Sequence, residues 1–175
     1  CQIMADLLTV KEHLGRLKGV KMAYVGDGNN VCNSLMLGCA MVGMDLACGC
    51  PKGYEPDPGV IEKAMEIAGR NGCHLTLVED PMEAARGANV VYTDVWVSMG
   101  QEEEQKLREK IFKPYQVNSR LMSVADPKAI VMHCLPAHRG MEITDEVIDS
   151  ERSVVLDQAE NRLHAQKAIM VALMS

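Results

Sequence analysis

The chain has 175 residues, 47% of them apolar and 24% charged, the size of one ordinary domain and long enough to bury most of the surface its unfolded form would expose. No stretch approaches the roughly 18 consecutive apolar residues of a membrane span. A net charge of -6 with one Trp and one Phe lacks the basic patch and stacking aromatics of a nucleic-acid binder, so a soluble domain with neither nucleic acid nor membrane as partner is expected.

From the N-terminus, CQIMADLLTVKEHLGRLKG carries acids and bases inside its apolar pattern, unlike an export signal, and the start at Cys1 suggests a true N-terminus further upstream. Short apolar runs then read as strands at Lys21 to Val25, Leu46 to Cys50, Leu75 to Val78, Val90 to Thr93, Ala129 to His133 and Val154 to Leu156. Helical patterns with capping signals lie between most of them. The first runs from Val31 to about Val42. Asp57-Pro58 offers an N-cap with Pro at the first helical position, and Asp80-Pro81-Met82-Glu83 and Ser98-Met99-Gly100-Gln101 match the capping box. Asn71-Gly72 and Gly87 are natural helix stops.

Strands that are nearly continuous apolar runs, separated by helices, imply a parallel sheet covered on both faces. The expected fold is therefore α/β, a doubly wound, Rossmann-like sheet of about five strands, forming one domain over residues 1–175. The seven cysteines are an odd set without zinc-finger or CxxC spacing. They are expected to be free thiols, most of them in the core, in a reducing cytoplasm. The thirteen methionines read likewise as core filler.

Ligands of such folds bind outside the carboxyl ends of the strands, and there the residues are distinctive. After the first strand, Gly26-Asp27-Gly28-Asn29-Asn30-Val31 permits a tight turn whose backbone N–H groups can meet an anion or a polar ligand. A dinucleotide fingerprint is disfavoured, because Val31 stands where a third Gly belongs and no acid follows the second strand. Asn29 or Asn30 is alternatively a simple helix cap. After the fourth strand, Asp94 is a carboxylate suited to an ammonium group and Ser98 a hydroxyl at a helix start, or the two merely hold a loop and cap a helix. After the fifth, His133-Cys134-Leu135-Pro136-Ala137-His138-Arg139 crowds His, Cys and Arg together. Adjacent residues of an extended segment face opposite ways, so His133 is badly placed to activate Cys134, and no ligand set for a metal is evident.

Five segments, Gly26-Asp27-Gly28-Asn29-Asn30, Pro51-Lys52-Gly53-Tyr54-Glu55-Pro56-Asp57, Asp94-Val95-Trp96-Val97-Ser98-Met99-Gly100, His133-Cys134-Leu135-Pro136 and Glu160-Asn161-Arg162, together with Cys1-Gln2, resemble in order and spacing the signatures of the ornithine carbamoyltransferase family. The resemblance covers essentially the whole chain and points to the ornithine-binding half. It implies that Asn30, Asp94, Ser98 and Met99 bind L-ornithine, with Asp94 on an ammonium group and Asn30 at the amino-acid end. It places Cys134 beside the reacting δ-amine, where Cys134 or Asp94 would assist deprotonation, and it assigns Gln2, Cys134, Leu135 and Arg162 to carbamoyl phosphate. The implied reaction, carbamoyl phosphate plus ornithine to citrulline plus phosphate, uses no cofactor and no metal. The family's Ser-x-Arg-Thr-Arg phosphate loop and carbamoyl phosphate domain are not found in the sequence, so catalysis by this chain alone is not expected. Helices near residues 5–14 and 161–174 resemble the two that join the halves, and the resemblance implies a homotrimer or a multiple of it. Two other readings stay open: a transcarbamylase for a related amine, and a noncatalytic binding or interaction domain of the same descent.

Overall fold

Five short strands, β1 (Lys21–Val25), β2 (Asp45–Gly49), β3 (Leu75–Val78), β4 (Val90–Thr93) and β5 (Ile130–His133), pair in parallel in the order β3-β2-β1-β4-β5. This computed structural model describes residues 1–97 and 105–175. The expected capping box at Ser98 to Gln101, with Ser98 and Met99 themselves, lies outside the described residues.

The two-residue period of the strands divides the core in two. Met22 and Tyr24 of β1, Leu46 and Cys48 of β2, Val90 and Tyr92 of β4 and Met132 of β5 share one face, in a register that sets Tyr24 between Cys48 and Tyr92. They meet Leu7 and Val10 of α1 (Gln2–Leu14), Leu35, Met36 and Cys39 of α2 (Asn30–Val42) and Ala64 of α3 (Pro58–Asn71). Ala23, Val25, Val91 and Val131 point the other way. Their partners are Ala85 of α4 (Pro81–Ala85), Leu121 and Met122 of α6 (Ser119–Met122), and Val147 and Ile148 of α7 (Asp145–Ile148). Between β4 and α6 lie α5 (Gln105–Phe112) and a 3-10 turn, Lys113–Tyr115.

Capping chemistry sets the helix starts. The Asn29 side chain accepts from the N–H groups of Val31 and Cys32, Asp57 from Gly59 and Val60, and Asp80 from Met82, with Pro58 and Pro81 opening their helices. Gly72, at φ 67°, ends α3 in the left-handed conformation, whereas α4 stops at Ala85 with Arg86 as its cap, before Gly87. The cysteines are all free, with Cys32, Cys39, Cys48, Cys50 and Cys73 buried, Cys134 half-buried and Cys1 exposed.

One expected strand is not a strand. Val154 caps and Val155 opens α8 (Val155–Met174), and only Ser153 pairs with β5, as an isolated bridge to Val131. The apolar run is three residues long, two of them β-branched, while Val155, Gln158, Asn161 and Ala165 are buried at helical spacing. The longer period prevails over the local preference. α8 packs on α1, where Asn161 donates to Thr9 Oγ1 at 2.9 Å and to Glu12 Oε2 at 2.7 Å. The outer faces of this pair expose Met4, Leu163, Met170, Val171 and Leu173. No helix among the described residues is long and apolar enough to cross a membrane.

The segment 51–57 seats on the turn after β1. Gly28 N–H donates to Tyr54 O at 2.8 Å and Asp57 N–H to Asn33 Oδ1 at 2.9 Å. A Cβ on Gly28 would stand 2.3 Å from the carbonyl carbon of Glu55 and 2.6 Å from Tyr54 O. Gly28→Ala is accordingly expected to destabilise the chain by about 2 kcal/mol or more, measured by urea unfolding, and stability equal to wild type would show that this seat can move at little cost.

Candidate functional site

The chain runs from β1 outward to β3 and then returns across the sheet to β4 and β5, so the strand order reverses between β1 and β4, where a doubly wound sheet opens a crevice at its carboxyl edge. Three side chains meet there, one from each neighbouring strand end. Asp94, after β4, is 6% exposed. Its Oδ2 accepts from Asn29 Nδ2 at 2.7 Å, and its Oδ1 accepts from the Val95 N–H at 2.8 Å and the Cys134 thiol at 3.0 Å. No cation pairs with Asp94 among the described residues. It is a carboxylate enclosed by neutral donors, a state that favours the arrival of a positive ligand group. Burial, and then the Asp94 charge, push the Cys134 thiol well above its ordinary range. Cys134 is thus a neutral S–H donor, and Asp94 is the anion of the pair.

His133 points the other way from Cys134 and is fully buried. Its Nδ1 accepts the Leu135 N–H at 2.9 Å, so its Nε2 carries the proton and donates to Glu142 Oε1 at 3.1 Å. The ring therefore braces Leu135, which sits at φ 57°, a left-handed conformation costing about 1–3 kcal/mol in a residue with a Cβ. With its N–H committed to His133, the backbone of this turn offers carbonyl acceptors to a ligand. Ligand atoms of Asp94, His133 and Cys134 lie within 4.8 Å of one another. Both ring nitrogens are already engaged, and a cation would find only the Asp94 carboxylate and the Cys134 sulfur.

A second cluster ties the surrounding loops together. Arg108, on α5 and 3% exposed, donates from Nε to Trp96 O at 2.6 Å and pairs with Asp27 in the turn after β1. Its guanidinium carbon lies 4.9 Å from the centre of the Tyr54 ring and 5.1 Å from that of Phe112. One cation thereby joins the Gly26–Asn30 turn, the segment after Asp94 and the 51–57 segment. Burial raises the Asp27 carboxyl above its ordinary value against the pull of Arg108.

Gln2 and Arg162 meet on the α1–α8 side, the Gln2 Oε1 accepting from Arg162 Nη1. Between them and the strand ends stands Asp6, fully buried. Its Oδ1 accepts from Gln2 Nε2 at 2.7 Å and Gln158 Nε2 at 2.8 Å, and its Oδ2 from the Tyr92 hydroxyl at 3.1 Å. Burial pushes the Asp6 carboxyl up to about 6, held back by those hydrogen bonds and by the Arg162 charge.

Of the residues singled out in the sequence, Asp94 and Cys134 are brought into contact, and Leu135 follows directly. Gln2 and Arg162 touch each other and reach the strand ends through Asp6. Asn30 is the exposed first residue of α2, and it is Asn29 that caps the helix and holds Asp94. Asp6, Arg108, Glu142 and Gln158 lie in none of the distinctive segments, and Asp27 stands in the first of them without a role of its own. Asp6 and Gln158 had a legible signal, being polar residues on apolar helical stripes. Arg108, among the alternating charges of α5, had none.

The family described as aspartate/ornithine carbamoyltransferase, Asp/Orn binding domain, matches residues 18–173. Ornithine carbamoyltransferase of Gloeobacter violaceus is 60% identical over 174 residues, covering 99% of this chain and 56% of that protein. The Methanocaldococcus jannaschii ornithine carbamoyltransferase is 60% identical over 170 residues, covering 97% of this chain and 56% of that protein. The solved structure of ornithine carbamoyltransferase from Pyrococcus furiosus superposes with a TM-score of 0.94 at 55% identity, over 97% of this chain and 54% of that one. The chain spans about half the length of the curated relatives it matches.

Two outcomes follow from the site's electrostatics. Arg108→Met leaves the Asp27 carboxylate enclosed without its cation and is expected to cost about 3–5 kcal/mol in denaturant unfolding, with Asp27→Asn added to it recovering at least half; a single variant within 1 kcal/mol of wild type would contradict the pairing. For Asp6 the folded value lies above the unfolded one, from 3.8 to about 6. Its contribution to stability is thus complete below pH 3.8 and lost as pH rises through 6, a loss on the order of 3 kcal/mol. Unfolding of wild type and Asp6→Asn, compared at pH 4 and pH 7, should show the variant gaining on wild type by up to that amount, and a constant difference would mean that Asp6 titrates normally.

Proposed function

Because this chain belongs to the aspartate/ornithine carbamoyltransferase family, as its Asp/Orn-binding domain, we propose that it is the ornithine-binding half of an ornithine carbamoyltransferase. The observation that carries this reading is the buried Asp94 carboxylate at the switch point, held by Asn29 and Cys134 with no cation beside it among the described residues. An amino acid bearing a second ammonium group supplies the missing charge.

In this reading Asp94 receives the ornithine ammonium, with Asn30, Ser98 and Met99 completing the amino-acid contacts. The δ-amine attacks as its neutral form, forming the N–C bond to the carbamoyl carbon while the bond from that carbon to the phosphate oxygen breaks. Asp94 is the anion placed to draw off the amine proton, and Cys134 orients it as a neutral donor rather than acting as a thiolate. Carbonyl acceptors of Cys134 and Leu135 suit the NH₂ of a carbamoyl group, and Gln2 and Arg162 suit its carbonyl and phosphate oxygens. No cofactor or metal is called for.

Four groups are a thin cradle for a doubly charged phosphate, so the remaining phosphate ligands belong to a carbamoyl phosphate-binding half. The apolar outer faces of α1 and α8 are where that half would rest. A cytoplasmic homotrimer, or a multiple of it, completes the proposal, in keeping with seven unpaired thiols.

The test is the complete carbamoyltransferase polypeptide assayed with carbamoyl phosphate and a panel of amines and diamino acids. Ornithine should be carbamoylated to citrulline at least tenfold faster than the others, and Asp94→Asn should lower kcat/KM for ornithine by at least 100-fold. This chain alone should form none. Preference for another amine would sink the ornithine assignment, and an Asp94→Asn enzyme of wild-type efficiency would remove Asp94 from the site.

A further inference from the structure

Asp6 lies outside every motif quoted for the site, yet each of its hydrogen bonds leads to the site. A carboxylate that only glued α1 to α8 would be a costly choice, since an apolar contact does the same at no desolvation cost. The Asn161, Thr9 and Glu12 contacts already join these two helices. We infer that Asp6 is a positioning residue that fixes the carbamoyl-side groups Gln2 and Arg162 relative to the amine-side strand ends, by dictating which way two glutamine amides face. The inference rests on the proposed carbamoyl transfer and deepens it.

An ionised carboxylate is acceptor-only, whereas a glutamine amide has one donor end and one acceptor end. Asp6 Oδ1 takes the NH₂ end of both Gln2 and Gln158. The opposite ends are thereby aimed. Gln2 Oε1 faces the Arg162 guanidinium, and Gln158 Oε1 accepts the His133 N–H at 2.9 Å, one residue before Cys134. Through Oδ2, Asp6 also holds the Tyr92 hydroxyl, which Gln158 Nε2 contacts at 3.1 Å, two residues before Asp94. One carboxylate thus sets α1, β4, the end of β5 and α8 in a single arrangement. Asp94 itself is held from the other side by Asn29, so loss of Asp6 should disturb the carbamoyl side more than the ornithine side.

Steady-state kinetics of the complete carbamoyltransferase, expressed per folded molecule from thermal unfolding, tests this with three variants. Asp6→Ala removes both acceptors and should raise KM for carbamoyl phosphate about tenfold and lower kcat about tenfold, with KM for ornithine changed less than threefold. Asp6→Asn keeps one acceptor end for the two glutamines and should bring both constants back to within about threefold of wild type. Should Asp6→Ala not fold, Asp6→Ser, which retains a single acceptor, should raise KM for carbamoyl phosphate at least threefold. Wild-type constants in Asp6→Ala or Asp6→Ser, equal rises in KM for both substrates, or no recovery in Asp6→Asn would each overturn the role. A wild-type enzyme that forms no citrulline would instead overturn the proposed function, and the role with it.

Discussion

Removing a carboxylate from water costs several kcal/mol unless its oxygens find donors, and Asp94 finds them on three separate segments. Asn29 comes from the start of α2, the Val95 N–H from its own loop and the Cys134 thiol from the end of β5. The arrangement of the carboxyl edge follows from that requirement. Asn29 must cap α2 with its oxygen so that its amide nitrogen is free for Asp94. Cys134 must stay protonated to donate, which burial and the neighbouring charge enforce. His133 must then turn away, and it does so by bonding Glu142 on one ring nitrogen and Leu135 on the other.

The loops around this carboxylate are held by a second buried charge. Arg108 reaches Asp27, Trp96 and the Tyr54 ring from α5, whose Phe112 also packs on the Trp96 and Tyr54 rings. Its partners lie 81 and 12 residues away in sequence, joined only because the sheet brings the ends of β1 and β4 side by side. Guanidinium suits this task, with a planar fork for the carboxylate and carbonyl and flat faces for the aromatic rings.

Much of this is legible in the sequence. Five of six apolar runs became strands, and the Asp57, Asp80 and Gly72 signals set helix ends, because capping is local chemistry. Asp94 and Cys134 stood out because functional residues of a doubly wound sheet concentrate just past strand ends. What was not legible depended on distance. Val154 to Leu156 carries β-branched residues, but whether it continues as helix is decided by what α8 buries from Val155 to Ala165, over about 15 Å of its length. Whether Asn29 or Asn30 capped α2 turned on Asp94, 65 residues away. Arg108 and Glu142 are ordinary charges in sequence and become structural only when a remote segment buries them.

The sheet divides the interior into two apolar layers that share no side chains, since alternate residues of each strand face opposite ways. Asp6, Tyr92 and Cys39 are buried on the face of α1 and α2, while Ala85, Leu121, Val147 and Ile148 pack against the other. Substitutions on the α4–α6–α7 side are then separated from the polar network by the thickness of the sheet, and sites so separated tend to act additively. The rear layer can drift in composition, or be redesigned for stability, behind an unchanged working face so long as the His133–Glu142 brace of Leu135, which lies on that side, is kept.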